Sequence, residues 1–150
     1  MIATLKRLYP QAIVGIKDSS CDLSYSLALA DAFMHELTVY VGNERDLPEL
    51  GRRGSTGAVS GLANFMPRLV HRLVTQPDAP GTAHDRARVD RLLDLLGGYA
   101  LTPALKGIMA VLSDEPAWLR VRPPLVALTP DSLPALEHEI RALGIDPTTD

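Results

Sequence analysis

A chain of 150 residues has the length of one domain and can bury a core of ordinary size. Its 15 basic and 18 acidic residues leave a net charge of −3, with no positive excess to neutralise phosphates, which argues against a nucleic-acid partner. Apolar content is 46 %, no apolar run approaches the ~20 residues that span a bilayer, and "MIATLKRLYPQ" lacks the apolar stretch of a signal peptide, so no membrane contact is expected. A single cysteine, Cys21, excludes an intrachain disulfide and fits a reducing, cytoplasmic location. His35, His71, His84 and His138 are scattered without ligand spacing, and neither a metal nor a cofactor is expected.

The first half alternates strand and helix. "AIVGI" (12–16) is a short, nearly continuous apolar run, the pattern of a strand covered on both faces. A helix is predicted from 22 to about 36, capped by Ser20 or Asp22, with Leu23, Leu27, Ala30 and Met34 on one face. "LTVYVG" (37–42) reads as a second strand. "RDLPELGRRG" supplies a short helix with Pro48 in its first turn and Gly54 as its stop. "GAVSG" (57–61) is a third strand, weakened by its glycines, and "FMPRLVHRLVTQP" places Leu69, Val70, Leu73 and Val74 on one helical face. Such alternation implies parallel βα units.

Beyond about residue 76 only helices are predicted. "DRARVDRLLDLLGG" carries Val89, Leu92, Leu93 and Leu96 at helical spacing. "TPALKGIMAVL" opens with Thr102 as cap and Pro103 behind it, burying Leu105, Ile108 and Leu112. "TPDSLPALEHEIRALG" repeats the Thr-Pro opening, with Leu133, Leu136, Ile140 and Leu143 inward and Gly144 as stop. The domain expectation is thus an α/β part, 1–76, followed by a helical region, 77–150.

Lys17 follows the first apolar run directly, and a strand-end lysine has a chemical use as a Schiff-base nucleophile. A free lysine, with pKa ~10.4, is almost wholly charged at neutral pH. Burial at the end of an apolar strand would disfavour the ammonium and release an amine able to attack a ketone, the iminium then serving as electron sink. The plain alternative is a lysine that pairs with Asp18 or extends into water. A third possibility is an anion site near Ser19 and Ser20 at a helix N-terminus.

"IVGIKDSS", "VYVGNE", "GSTGAVSGLANFMP", "TPALKGIMAVL" and "RPPLVALT", in that order over nearly the whole chain, resemble the C-terminal half of the dihydrodipicolinate synthase / N-acetylneuraminate lyase family. The resemblance implies strands six to eight of a (β/α)8 barrel with a C-terminal helical region, and class I aldolase-type lyase chemistry on a 2-oxo acid such as pyruvate. It matches Lys17 to the Schiff-base lysine on strand six, and Gly42 and Asn43 to the small-residue pair ending strand seven beside the substrate. Val59 matches the aliphatic residue ending strand eight beside the imine, with Ser60 following. Each has a structural alternative: turns for Gly42 and Asn43, barrel core for Val59. Lys106 reads as a structural helix residue. Tyr9, Tyr25, Tyr40 and Tyr99 do not match the family's proton-relay tyrosine, which strand five supplies. At Cys21 the family more often has glycine, so a left-handed turn there would strain the side chain.

A whole (β/α)8 barrel takes about 250 residues. No segment here matches the family's "GTTGE"-type stretch, which holds the substrate carboxylate, or its tyrosine-bearing strand five, and Met1 falls in the helix expected between strands five and six. The expectation is therefore a chain inactive alone, losing roughly 10³ or more in rate without those groups. It would form a homo-oligomer or pair with a complementary N-terminal half, covering its open strand edges and apolar face. The competing expectation is a non-catalytic remnant serving as a structural or interaction module.

Overall fold

The computed structural model describes residues 1–150. In chain order the elements are α1 (Ile2–Leu8), β1 (Gly15–Asp18), α2 (Leu23–Phe33), β2 (Thr38–Val41), α3 (Leu47–Arg52), α4 (Pro67–Thr75), α5 (Thr82–Leu96), α6 (Leu101–Ser113) and α7 (Ser132–Ala142), with 3-10 turns at Glu44–Asp46, Leu62–Asn64 and Pro116–Leu119. Two compact units emerge: Met1–Ser60 with Val70–Thr82, and Gly61–Leu69 with Ala83–Asp150. No single helix is long and apolar enough to cross a membrane.

In the first unit β1 and β2 run parallel, with Gly15 opposite Thr38 and Lys17 opposite Tyr40. A third segment joins through one parallel bridge between Val41 and Ala58. There the Val41 N–H donates to the Gly57 carbonyl at 3.2 Å and the Val59 N–H to the Val41 carbonyl at 3.0 Å. An α/β fold is therefore present, with the strand limits corrected. The strand expected at 12–16 lies at Gly15–Asp18, because its length is set by the hydrogen-bonding groups that β2 offers and not by its apolar run. Val14 accepts from Thr38 but leaves its side chain 65 % exposed. The strand expected at 57–61 contracts to the single bridge at Ala58.

Asp22 caps α2, its carboxylate accepting the Tyr25 N–H at 3.1 Å. The buried face of α2 is Ser26, Leu29 and Ala30, not the expected set through Leu23 and Leu27. This helix is apolar nearly all round, so its pattern leaves the inward side open, and contact with β2 and α3 selects it. Pro48 lies in the first turn of α3, and Gly54, with φ +102°, follows its end. Leu69, Val70, Leu73 and Val74 of α4 are all buried, as their spacing predicts.

In the second unit Val89, Leu92 and Leu96 of α5 are buried. The N-cap of α6 is Ala100 rather than Thr102, so the helix begins before the expected cap. Pro103 fits inside the first turn because an N–H there would have no helical partner. α6 packs against α7 and against the Pro116–Leu119 turn. Leu136 and Ile140 of α7 face inward fully, and Leu133 and Leu143 only in part. Each large side chain so enclosed contributes about 1.5–3 kcal/mol relative to exposure. Arg88 of α5 grips the Asp150 carboxylate through two nitrogens, both at 2.6 Å. Lys106 is held as a structural residue, its Nζ lying 5.1 Å from the centre of the Trp118 ring.

Candidate functional site

Strand alternation sorts the first unit's sheet into two faces. Val39 and Val41 are buried, so Thr38, Tyr40 and Gly42 point to the other side. Register places Gly15 and Lys17 on that same side from β1, and Gly57 and Val59 from the bridged segment. This face is open: Lys17 is exposed, Tyr40 is 38 % exposed and Val59 is 51 % exposed. The structure thus gathers Lys17, Gly42 and Val59 on one face near the C-terminal ends of parallel strands.

Gly42 is required where it stands. A β-carbon there would lie 2.8 Å from Cε of Lys17 and would collide with the Ser19 hydroxyl and the Asp18 carbonyl. Glycine clears the path along which the lysine side chain runs.

The burial expected around Lys17 is not found, since the face it occupies is uncovered. Asp18 does not pair with it. Alternation turns the Asp18 carboxylate to the opposite face, where Oδ1 accepts the Ser20 N–H at 3.0 Å and Oδ2 accepts the Ser20 hydroxyl at 3.2 Å and the Ser26 hydroxyl as well. Lys17 extends into solvent instead.

Asn43 and Ser60 lie at the same edge of the sheet but are tied into the Glu44–Asp46 turn. Asn43 Nδ2 donates to Asp46 Oδ2 at 2.8 Å, and the Ser60 hydroxyl donates to Glu44 Oε1 at 2.5 Å. The start of α2 offers no anion site: the Asp22 carboxylate accepts the Ser24 hydroxyl at 2.6 Å and the Tyr25 N–H, placing a negative charge where an anion would sit. Those two donors hold the Asp22 carboxyl below its ordinary 3.8. Cys21 adopts φ +56°, a left-handed conformation, and its thiol is exposed rather than buried or half-buried as a structural thiol would be. No group of three or more His, Cys, Asp or Glu side chains is gathered to hold a metal ion.

Tyr40 is the residue that sequence reasoning set aside and the structure places beside Lys17. The alternation in "TVYV" carried the signal, since burying Val39 and Val41 puts Tyr40 on the lysine's face.

The family model of the dihydrodipicolinate synthetase family matches residues 1–143. An uncharacterized DapA-like lyase from Chloroflexus aurantiacus is 30 % identical over 123 residues, covering 81 % of this chain and 40 % of that protein. The crystal structure of dihydrodipicolinate synthase from Agrobacterium tumefaciens aligns at 32 % identity with a TM-score of 0.84, over 95 % of this chain and 47 % of that one. The chloride-inhibited dihydrodipicolinate synthase from Acinetobacter baumannii, crystallised with pyruvate, aligns at 25 % identity with a TM-score of 0.75, over 96 % of this chain and 50 % of that one. The chain spans half or less of the length of each of these relatives. With its strand-borne lysine, its parallel sheet and a match over nearly every residue, the chain belongs to the dihydrodipicolinate synthetase family.

Proposed function

We propose that Lys17 is the Schiff-base nucleophile of a class I aldolase-type lyase acting on pyruvate or another 2-oxo acid. The observation that carries this is the placement of Lys17 on the open face of a parallel sheet, with glycine at 42 clearing its path and Val59 on the same face. The pyruvate bound by the Acinetobacter baumannii relative supports the substrate class. In the first step the neutral amine attacks the ketone carbon, the carbonyl oxygen leaves as water with one proton from the amine and one from solvent, and the iminium formed can accept an electron pair from a bond to the neighbouring carbon. Gly42 and Asn43 border the bound acid, Val59 packs beside the imine, and Ser60 continues that wall. Strands six to eight of a (β/α)8 barrel are the matching frame.

These 150 residues alone are expected to form the imine poorly and to turn over nothing, because no carboxylate-binding or proton-relay segment matches within them. The open face bearing Tyr40 and Val59 is expected to be covered in solution by a complementary half-barrel or a second copy.

Borohydride reduction in the presence of pyruvate tests the proposal. A reduced adduct mapped to Lys17, lost in Lys17→Met, supports it. Absence of any adduct under conditions that label a full-length relative sinks it and leaves the chain a structural or interaction module.

A further inference from the structure

Lys17 and Tyr40 are register partners, yet their side chains part along a diagonal. Lys17 runs forward, its Cε lying 2.8 Å from where a β-carbon of Gly42 would be. The Tyr40 ring runs the other way. One edge, at Cε2, comes to 3.7 Å of a β-carbon built on Gly15, and the opposite edge, at Cε1 and Cδ1, to 3.3 and 3.4 Å of one built on Gly57. Each large side chain lies over a glycine of the strand beside it. The ring therefore fills the space over β2 between β1 and the bridged segment, which lie two strand spacings, about 9.6 Å, apart.

We propose that Tyr40 is a positioning residue: its ring is a plate that closes the sheet face beneath Lys17, with Gly15 and Gly57 making room for its two edges. The plate denies Lys17 the space towards the N-terminal ends of the strands and directs the amine over Gly42. The ring, not the hydroxyl, does this, so phenylalanine replaces tyrosine without loss. The consequence for imine formation rests on the Schiff-base role proposed for Lys17; the plate itself rests on the glycine and register geometry alone.

Two measurements on the 150-residue chain separate these. In the first, the rate of borohydride-trapped adduct formation with pyruvate is compared across variants. Tyr40→Phe is expected within about twofold of the parent and Tyr40→Ala about tenfold slower, the cost of a misdirected nucleophile. Equal rates for Tyr40→Ala and the parent overturn the proposal, and so does a Tyr40→Phe as slow as Tyr40→Ala. The second needs no pyruvate. The chain holds only three lysines, Lys6, Lys17 and Lys106, so reductive 13C-methylation yields few signals, and Lys17→Arg identifies the relevant one. The Lys17 methyl resonance is expected to shift in Tyr40→Ala and to stay near the parent position in Tyr40→Phe. A resonance indifferent to loss of the ring overturns the plate, even where no adduct forms and the Schiff-base role has failed by itself. Should Tyr40→Ala not fold, Gly57→Ala, which crowds the ring edge and keeps the ring, is expected to shift the same resonance, and no shift overturns the proposal.

Discussion

Cε of Lys17 occupies ground that any side chain on Gly42 would contest, at 2.8 Å from its β-carbon. The other two obstacles are the Ser19 hydroxyl and the Asp18 carbonyl, and the carbonyl is main chain that cannot rotate away. Gly42→Ala is therefore expected to destabilise the first unit by about 1–3 kcal/mol, as overpacking does, and to lower Lys17 adduct formation in the same protein. Urea unfolding beside the borohydride assay checks both; an alanine variant with the parent's unfolding midpoint contradicts the contact.

Cys21 at φ +56° carries a β-carbon in a conformation that favours glycine. Relief of that strain outweighs the extra chain entropy glycine loses on folding, so Cys21→Gly should gain about 0.5–1 kcal/mol. The same position should reject a branched residue, with Cys21→Val less stable than the parent. Thermal unfolding of the three proteins gives the order.

Arg88 and the Asp150 carboxylate are only 16 % and 7 % exposed, and the carboxylate also accepts the Asp146 N–H at 3.0 Å. Removing the guanidinium leaves a nearly buried charge short of partners, and Arg88→Ala should cost about 2–4 kcal/mol. Hydrogen bonding to Asp150 raises the Arg88 pKa above the ordinary guanidinium value. A raised cation stabilises fully below that ordinary value and loses its effect only as pH climbs through the folded one. No alkaline loss from this pair is thus expected in the working range, which unfolding midpoints at neutral and moderately alkaline pH will show.

Acid should act through different groups. Asp22 is lowered by the Ser24 hydroxyl and then the Tyr25 N–H, and Asp146 by the Thr148 hydroxyl and then its N–H. A depressed carboxyl stabilises above its ordinary 3.8, and that contribution disappears as pH falls through the lower folded value. The start of α2 should hold its cap down to about pH 4 and lose it below. Amide-exchange protection at Tyr25 measures this, and Asp22→Asn should flatten the dependence.

Much of this was legible beforehand because helix periodicity is local. Leu69, Val70, Leu73 and Val74 are buried as their spacing foretells, and Asp22 caps as its chemistry foretells. α2 shows where the signal thins, for a helix apolar on several sides leaves Ser26 and Leu29 as good a face as Leu23 and Leu27. Tyr40 shows what a residue-by-residue match omits, since a tyrosine that answers to no family role still stands beside Lys17 once the strands pair.

By itself the sequence determined the alternation of strand and helix, the Asp22 cap, the Gly54 stop, the family and the candidate lysine, all properties of residues near one another in the chain. The tertiary structure alone decided where β1 begins, which face Lys17 takes, that Asp18 turns away to Ser20 and Ser26, and that glycines at 15, 42 and 57 make room for two large side chains. The physical reason is register. Hydrogen bonds between strands distant in sequence select which residues stand side by side, and one residue of slip would reverse every face.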